Sequence, residues 1–548
     1  MEKKWTVKHD CRGMETSEII DTILEDRGVE DARALLYPND DCLIPFEKLK
    51  NIDRAAQIIA KNIENDGSFY VHFDTDTDGI SAGSIAVRWL KEHTDRISYG
   101  INQGKDHGIS KLDLSILDGV DVLWIVDSIE TQMFPYEKAL DAGVKHIIIT
   151  DHHLVSKSMQ KQMERNGAIT LVSSAVDYPN PALSGSATTW KLCAYMDWME
   201  LDDYSDNLID LASTGLVADM CNVGVESPEN RYICYKGFCN QVNPALKKIN
   251  GSYEFNSQAV SFGIAPLVNA SNRMNENEKA VKLFLSEESK EITRLVNDLK
   301  SCKEYQNLEI ADLMPELEAQ AESQMDKKVM FFFVETNAEV KGLIGNKLLE
   351  KYQRPVIVLS NRMEIDEETG EVTKCELVGS ARAIGVSDFK KYVDDTGMVG
   401  SGGHENAFGL WFDAEVLEDF QNALEGALKD VEFVQETTVD IQIDQEQITD
   451  DLIRQIKMLN RISGQGWPSI SVMVSGIIDY EVGSMSGGRH LKFIIENGKT
   501  LLIKWNCSNH DFPDGELSVV GTLDSGFFGR TYYKQLIIND FKINGDEE

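Results

Sequence analysis

Residues 68–93 read SFYVHFDTDTDGISAGSIAVRWLKEH, an apolar strand pattern followed by an acidic turn and a helical pattern. Two more strand patterns follow, DVLWIVD at 121–127 and KHIIITD at 145–151, with one short helical pattern between them. Strands that alternate with helices in this way are typical of a parallel sheet with helices on both faces. We therefore predict an α/β fold with a doubly wound parallel sheet in the first half of the chain.

Each of these three strand patterns ends in an aspartate or in an aspartate beside histidines. The side chains concerned are His72, Asp74, Asp76, Asp78, Asp127, Asp151, His152 and His153. The carboxyl ends of parallel strands line one edge of a sheet, where the ligand crevice lies, so we expect these groups to converge. Converging carboxylates are costly to desolvate unless a cation lies between them. The pattern therefore predicts a pair of divalent metal ions. Aspartate oxygens suit Mg²⁺ or Mn²⁺, and the histidines favour Mn²⁺.

A single aspartate after a strand also has an ordinary structural explanation. Such a residue commonly caps the helix that follows, and Asp78 with Gly79 also fits a simple turn. Four acids or imidazoles beside one turn, two further acidic strand ends and a His-His pair are harder to explain as caps alone. The whole combination therefore favours a metal centre.

The same residues resemble the motifs of the DHH phosphoesterases, and of their RecJ-type branch in particular. The matching segments are Asp-x-Asp-x-Asp-Gly at 74–79, Asp127 after its strand, Asp151-His152-His153, Asp219 in LVADM, NASNRM at 269–274, GSARAI at 379–384 and GGHENAFG at 402–409. The resemblance runs from about Leu36 to the C-terminus. Three departures indicate a divergent member: VDSIET replaces the usual second motif, Ala381 replaces a glycine, and Phe408 replaces a small residue.

The resemblance implies two divalent metal ions that share one carboxylate. The expected ligands are Asp127 as the bridge, His72 and Asp76 at one ion, and Asp78, His152 and Asp219 at the other. Asp74 is expected to be either a ligand or a group that orients one. Two such ions can activate a water for in-line attack on phosphorus and stabilise the leaving oxygen. Mn²⁺ is the expected metal and Mg²⁺ the second choice.

The resemblance also assigns catalytic and substrate-binding roles. Asp127 is expected to be catalytic together with His153, which would contact the scissile phosphate, and Asp151, which would orient the histidine pair. The substrate-binding candidates are Arg273, Arg382, Gly402, Gly403 and His404. A guanidinium suits bidentate phosphate binding, although in so acidic a chain a salt bridge is an equal alternative for both arginines. The glycines and histidine are expected on a loop whose bare backbone can approach a phosphate or sugar, a weak signal by itself.

Changes of pattern along the chain predict five segments. They are an N-terminal segment packing on the first domain (1–50), a DHH catalytic domain (51–274), a long connector helix (275–326), a second α/β, DHH-associated substrate-binding domain (327–438) and a small OB-like nucleic-acid-binding β-barrel (439–548). An exposed acidic hairpin is expected at 361–374. The aromatic and basic residues of the last segment suit base stacking, although aromatic residues also fill the cores of small barrels.

The charge balance is unusual for a nucleic-acid-binding protein. The 548 residues include 54 Lys and Arg against 91 Asp and Glu, a formal net charge of −37. Binding of many phosphates would then need a local basic groove, bound cations or a partner, and a solubilising surface is the plainer explanation of most of the acids. No apolar run approaches the roughly 20 residues of a membrane span. With no secretion signal and nine cysteines that lack a paired framework, we expect a cytoplasmic protein without structural zinc.

These observations lead to one expected function and two alternatives. We expect a monomeric, two-metal-dependent 5′-to-3′ exonuclease that hydrolyses single-stranded DNA to 5′-mononucleotides in DNA repair or recombination. The resemblance alone implies the polarity and the product. A single-stranded-DNA-binding protein or a helicase is the expected class of protein partner. The first alternative is a DHH phosphodiesterase of short oligonucleotides or cyclic dinucleotides, which the acidity favours. The second is a non-catalytic nucleic-acid-binding or replisome scaffold protein, which loss of metal ligands would mark.

Overall fold

The computed structural model describes residues 2–104, 106–336, 340–365, 372–495, 498–507, 515–528 and 530–544. The chain divides into two compact units. The larger unit consists of Val7–Lys300 and Val439–Glu548, and the smaller unit consists of Met1–Thr6 and Ser301–Thr438.

Strands and helices are numbered in chain order. The strands are β1 (Glu2–Asp10), β2 (Phe69–Phe73), β3 (Ile97–Ile101), β4 (Val122–Val126), β5 (His146–Asp151), β6 (Ile169–Ser173), β7 (Met330–Phe333), β8 (Val356–Ile365), β9 (Val372–Arg382), β10 (Gly400–His404), β11 (Ala407–Asp413), β12 (Val434–Ile443), β13 (Val472–Ile477), β14 (Glu481–Met485), β15 (His490–Ile495), β16 (Thr500–Lys504), β17 (Glu516–Phe528) and β18 (Thr531–Asn544). The α-helices are α1 (Thr16–Asp26), α2 (Ala32–Leu36), α3 (Ile52–Glu64), α4 (Thr77–His93), α5 (Phe134–Asp141), α6 (Lys157–Asn166), α7 (Gly185–Glu200), α8 (Ile209–Ala218), α9 (Pro228–Cys239), α10 (Pro244–Asn250), α11 (Ala265–Arg273), α12 (Asn277–Leu285), α13 (Ser289–Glu322), α14 (Lys341–Tyr352), α15 (Phe389–Asp394), α16 (Leu417–Ala427) and α17 (Asp450–Asn460).

A five-stranded parallel sheet lies at the centre of the larger unit. Its strand order is β3-β2-β4-β5-β6, and all neighbouring strands are parallel. The three strands predicted from the sequence are β2, β4 and β5, so the predicted parallel α/β fold is confirmed. The chain first winds from β2 outward to β3 and then returns to β4 on the other side, so a topological switch point lies between β2 and β4.

Both faces of this sheet are buried. On β2, Phe69, Val71 and Phe73 join one apolar cluster, whereas Tyr70 joins a second cluster. Strands that are covered on both faces need apolar residues at nearly every position, which explains the continuous apolar runs in the sequence. Helix α4 approaches β2 closely because a Cβ atom on Gly83 would lie 2.3 Å from the ring of Phe73.

The segment predicted as a connector contains two helices. α12 (Asn277–Leu285) is followed by its capping residue Ser286, and α13 (Ser289–Glu322) then runs for 34 residues with Pro315 inside it. None of the helices in the described ranges is both long enough and apolar enough for a membrane span.

The smaller unit contains a second α/β arrangement, as predicted. Its sheet has the order β10-β11-β9-β8-β7, in which β7 and β8 are parallel and the other pairs are antiparallel. The tip of the predicted acidic hairpin falls on residues 366–371, outside the described residues.

The glycine-rich segment of the smaller unit corrects one prediction. Gly402, Gly403 and His404 form part of the edge strand β10 rather than a loop. Gly403 lies opposite Phe408 and His404 lies opposite Ala407 on β11, so backbone pairing holds the segment extended. The Gly-Gly pattern resembles a turn in sequence, whereas the chain reverses just after it and pairs β10 with the next strand, β11.

The C-terminal strands form an eight-stranded sheet. Its order is β1-β12-β13-β17-β18-β16-β15-β14, with β1 from the N-terminus at one edge. The predicted strand-rich C-terminal segment is therefore present, and its description as an OB-like barrel remains a prediction. The pairing of β1 with β12 joins segments more than 400 residues apart and has no local sequence signal.

Candidate metal centre

The acidic strand ends meet at the switch point of the parallel sheet. Asp74 and Asp76 follow β2, Asp127 follows β4, and His152 and His153 follow β5, which are three adjacent strands. Among the described residues, three overlapping groups have ligand atoms within 4.8 Å of one another. They are Asp74, Asp76 and Asp127; Asp127, His152 and His153; and His152, Asp219 and Cys221.

Asp127 is the central residue of these groups. Its Oδ1 lies 3.3 Å from Nε2 of His152 and 3.7 Å from Nδ1 of His153. This oxygen is buried and has no hydrogen-bond partner among the described residues. The residue has a φ of 55°, a left-handed conformation that is uncommon for aspartate and concentrates at functional sites. The backbone of Gly185 lies directly against this carboxylate, since a Cβ on Gly185 would be 2.3 Å from Oδ1 of Asp127.

The first acidic turn is shaped by helix capping and by close packing. Asp76 is the N-cap of α4, and its carboxylate accepts a hydrogen bond from the Gly79 N–H at 3.0 Å. Asp76 therefore caps a helix and also belongs to one of the three ligand groups. Asp74 lies so close to Gly79 that a Cβ there would be 2.4 Å from the Asp74 Cβ.

The Asp78 carboxylate binds the N-terminus of another helix, α7. It accepts hydrogen bonds from the N–H groups of Gly185 at 2.7 Å and Ser186 at 3.1 Å, the first two residues of α7. A carboxylate is favourable there because of the free N–H groups and the helix dipole. Asp78 is in none of the three groups, so its role as a ligand remains a prediction.

His72 is buried beneath the acidic turn. Its Nε2 lies 3.1 Å from the carbonyl oxygen of Gly108, and its Nδ1 has no hydrogen-bond partner among the described residues. Burial lowers the pKa of His72 to about 4, so the imidazole is neutral, the form that binds metal ions. Its role as a ligand also remains a prediction, because it lies outside the three groups.

Asp151 holds the two histidines in place. Its Oδ1 accepts hydrogen bonds from the N–H groups of His152 at 2.6 Å and His153 at 2.7 Å, and it lies 2.8 Å from Nδ1 of His153. Its Oδ2 accepts the Ile129 N–H at 2.7 Å. Burial raises the pKa of Asp151, but the hydrogen bonds and charge of His153 outweigh burial and the pKa lies below its ordinary value. The same contact raises the pKa of His153 to about 9.

The electrostatics of the group fit a divalent cation. Burial, followed by repulsion from Asp74 and Asp78, raises the pKa of Asp76 to about 7. Burial and the neighbouring carboxylates also raise the pKa of Asp127 well above its ordinary value. A cation between these oxygens would remove both penalties, and the unpartnered Oδ1 of Asp127 is positioned to accept one. The aspartate and histidine donors present therefore fit Mn²⁺ or Mg²⁺.

The NASNRM segment lies against the first acidic turn. Asn269 accepts a hydrogen bond from the Thr77 hydroxyl at 2.9 Å, and Asn272 donates to the Thr75 carbonyl at 2.9 Å. Arg273 is the last residue of the same helix, α11. The structure thus brings this candidate segment to the metal centre, and the phosphate-binding role of Arg273 remains a prediction.

The other substrate-binding candidates lie in the smaller unit. Arg382 ends β9, and its Nε donates to Oδ1 of Asn346 at 2.9 Å. Gly342 leaves room for it, since a Cβ there would lie 2.6 Å from an Arg382 Nη. Gly402, Gly403 and His404 are on β10 of the same sheet, and their binding roles remain predictions.

Sequence reasoning missed three residues that the structure places at the centre. Nδ1 of His107 lies 2.9 Å from Oδ1 of Asp74, and the Ser128 hydroxyl donates to the same oxygen at 2.9 Å. Cys221 belongs to the group around Asp219. Ser128 stands next to Asp127 and could have been suspected, whereas His107 lies in a loop with no motif.

Comparisons with known proteins match the part of the chain that carries this centre to one family. Residues 68–216 match the family model described as the DHH family, N-terminal domain. The SPbeta prophage-derived protein YorK of Bacillus subtilis (strain 168) is 28% identical over 471 residues, which cover 79% of this chain and 79% of that protein. The single-stranded-DNA-specific exonuclease RecJ of Bacillus subtilis (strain 168) is 25% identical over 574 residues, which cover 98% of this chain and 70% of that protein.

The fold is similar to that of a solved RecJ. The crystal structure of RecJ from Thermus thermophilus in complex with Mn²⁺ superposes with a TM-score of 0.77 at 20% identity, covering 99% of this chain and 80% of that one. The family match includes β2, β4 and β5, the strands that carry the acidic ends. The first half of the chain therefore carries a match to the DHH family, N-terminal domain, and the fold of the whole chain is similar to that of RecJ.

Proposed function

We propose that the chain is a divalent-metal-dependent exonuclease that hydrolyses the phosphodiester bonds of single-stranded DNA. The observation that carries the proposal is the buried Asp127, which shares one ligand group with two histidines and another with two aspartates, and whose Oδ1 has no hydrogen-bond partner among the described residues. The Bacillus subtilis RecJ matches 98% of this chain and is named a single-stranded-DNA-specific exonuclease. This name supports single-stranded DNA as the substrate.

Two divalent ions, when bound, would polarise a water and stabilise the charge on the leaving oxygen. In this proposal Asp127 bridges the ions, His72 and Asp76 complete one site, and Asp78, His152 and Asp219 complete the other. Asp78 already accepts two backbone N–H groups of α7, so its carboxylate would have to serve both purposes. The imidazoles among the donors favour Mn²⁺ over Mg²⁺.

The protein's own groups would hold the substrate. Asp151 fixes His153 through Nδ1, which keeps the imidazole in one orientation toward the scissile phosphate. Since Asp151 engages Nδ1, Nε2 is the nitrogen of His153 available to a phosphate oxygen. Arg273 and Arg382 would bind further phosphates of the strand. Digestion from the 5′ end to 5′-mononucleotides, within repair or recombination in the cytoplasm, completes the proposal, with a helicase or a single-stranded-DNA-binding protein as the partner class.

A phosphodiesterase of short oligonucleotides or cyclic dinucleotides is the second candidate. The net charge of −37 favours it, because a small substrate needs little electrostatic attraction along its length. Both candidates use the same metal centre, so only the length of the preferred substrate separates them.

One digestion experiment tests the proposal. The purified protein with Mn²⁺ is given one single-stranded DNA labelled at either its 5′ or its 3′ end, with a matching duplex and a dinucleotide beside it. We expect immediate release of the 5′ label as a mononucleotide, a spared duplex, and no activity in the Asp127→Ala variant. Cleavage of the dinucleotide alone would move the protein to the second candidate. A wild-type protein that cleaves nothing with any divalent metal would contradict both and favour a scaffold.

A further inference from the structure

A histidine outside the family motifs, His107, faces the metal centre. Its Nδ1 lies 2.9 Å from Oδ1 of Asp74. Its ring contacts the ring of His153 edge-on, with centroids 5.2 Å apart and an angle of 72° between the planes. The side chain is 41% exposed, so part of the ring remains open to a ligand.

His107 and His153 are held in the same manner. Each has its Nδ1 within 2.9 Å of a buried carboxylate, Asp74 for His107 and Asp151 for His153. The exposed fractions of the two side chains are also similar, 41% and 47%. A carboxylate that engages Nδ1 fixes the ring orientation and leaves Nε2 as the nitrogen available to a ligand. The two imidazoles therefore form a pair of neighbouring groups, each oriented by its own carboxylate.

The backbone next to His107 is tied to the metal centre through Ser128. The Gly108 N–H donates to the Ser128 hydroxyl at 2.7 Å, and that hydroxyl donates to Oδ1 of Asp74 at 2.9 Å. Oδ1 of Asp74 therefore contacts both Nδ1 of His107 and the hydroxyl of Ser128. This chain of contacts leaves His107 little freedom to turn away from the centre.

Glu130 holds the next residues of the same loop. Its Oε1 accepts the N–H groups of Ile109 at 2.6 Å and Ser110 at 2.7 Å. Ser128 and Glu130 both belong to VDSIET, the segment in which this chain departs from the RecJ pattern. This segment therefore supplies the two side chains that anchor the His107 loop.

We propose that His107 is a second phosphate-binding histidine of the site, which contacts a nucleotide phosphate together with His153. Two ring centroids 5.2 Å apart allow the imidazoles to reach different oxygens of one phosphate. Asp74 engages Nδ1 of His107, so Nε2 is the ring nitrogen left for the anion, and the 41% exposure of the side chain leaves room for it. Ser128 and Glu130 are positioning residues that act through the loop. The inference rests on the proposed function for its ligand class, a nucleoside monophosphate or the equivalent phosphate of a strand.

Binding of 5′-dTMP tests the inference without turnover. Isothermal titration calorimetry measures the Kd of 5′-dTMP for the full-length protein saturated with Mn²⁺. His107→Ala is expected to raise this Kd about tenfold or more, since it removes a hydrogen bond to a charged group. His107→Gln retains an amide N–H and is expected to lose less. Glu130→Ala is expected to weaken binding as well, because the loop loses its anchor.

The matched control is His9→Ala. His9 is also paired with a carboxylate, with Nε2 3.0 Å from Oδ1 of Asp26, and its side chain is 36% exposed, but it lies on β1. Its replacement is expected to leave the Kd of 5′-dTMP unchanged. Mn²⁺ binding by the His107 variants is titrated separately, because a residue that only supported Asp74 would change metal affinity instead.

The outcomes separate this inference from the proposed function. An unchanged 5′-dTMP Kd in His107→Ala, a loss explained entirely by weaker Mn²⁺ binding, or a wild-type protein that binds no 5′-dTMP would each overturn the role of His107. A wild-type protein that binds 5′-dTMP through His107 but digests no single-stranded DNA would contradict the exonuclease and leave His107 as a phosphate ligand. If the wild type digests single-stranded DNA and His107→Ala binds 5′-dTMP as tightly as the wild type, the exonuclease proposal stands and the role of His107 is overturned.

Discussion

Oδ1 of Asp127 lies 3.3 Å from Nε2 of His152, although the two residues follow different strands, and this oxygen has no hydrogen-bond partner among the described residues. A buried carboxylate without a cation destabilises the fold, because burial and neighbouring charges raise the pKa of Asp127 well above its ordinary value. The same carboxylate becomes favourable once a divalent ion binds. The carboxylate of Asp127 is therefore expected to lower the stability of the metal-free protein and to raise its affinity for a divalent ion.

Asp127→Asn is expected to separate these two effects. The neutral amide should raise the unfolding temperature of the metal-free protein, with a gain on the order of 1 kcal/mol or more from removing a buried charge. Mn²⁺ should then raise the unfolding temperature of the wild type and not that of the variant. Differential scanning fluorimetry in EDTA and in Mn²⁺ measures both. Asp118→Asn, at an exposed aspartate, serves as the control. Equal stabilisation of wild type and variant by Mn²⁺ would argue against Asp127 as a ligand.

Gly185→Ala is expected to damage the centre by steric contact. The added Cβ would lie 2.3 Å from Oδ1 of Asp127, so the carboxylate must move. A misplacement of about 1 Å in a catalytic site can lower the rate about 100-fold, and we expect a loss of that order. The measurement is the initial rate of Mn²⁺-dependent digestion. Gly426→Ala is the matched control, since Gly426 is also helical and a Cβ there would meet nothing within 4 Å. Full activity in Gly185→Ala would show that Asp127 tolerates displacement.

A buried ion pair in the larger unit leads to a third prediction. Nζ of Lys191 lies 2.5 Å from Oε1 of Glu229, and neither side chain is exposed. Tyr178 and Asn180 also donate to the Glu229 carboxylate, and the Lys191 ammonium donates to the Ile44 carbonyl. Lys191→Met is expected to lower the free energy of unfolding by about 3–5 kcal/mol, because it leaves a buried charge unpaired.

The double variant Lys191→Met, Glu229→Gln distinguishes charge from packing. It removes both charges and keeps an amide that accepts and donates within the same network, so its cost should be smaller than that of Lys191→Met alone. Urea unfolding followed by tryptophan fluorescence compares the two. A double variant that is less stable than the single variant would indicate that the ion pair is not the cause.

The sequence predicted three of the five strands of the parallel sheet from local signals and missed β3 and β6. β2, β4 and β5 are apolar runs with acidic ends, and their convergence follows from the general geometry of parallel sheets. β3 was missed because it is a half-exposed strand with Gly100 inside it, which gives no apolar run. The contact of His107 with Asp74 could not be predicted, since it depends on a loop whose path is set by hydrogen bonds to Ser128 and Glu130. Long-range contacts of this kind leave no periodic pattern in the chain.

Asp210 is expected to make stability depend on pH. Burial raises its pKa from 3.8 to about 6, although the N–H groups of Asn243 and Val242 partly offset this effect. A carboxyl group with a higher pKa in the folded state binds its proton more tightly when folded, so its contribution to stability is present at low pH and is lost as pH rises through about 6. The shift corresponds to a loss on the order of 3 kcal/mol between about pH 4 and pH 7.5. Asp210→Asn removes this titration and keeps an oxygen for both N–H groups. Urea unfolding in EDTA should therefore show the wild type losing stability relative to the variant as pH rises, and a difference that stays constant with pH would contradict the prediction.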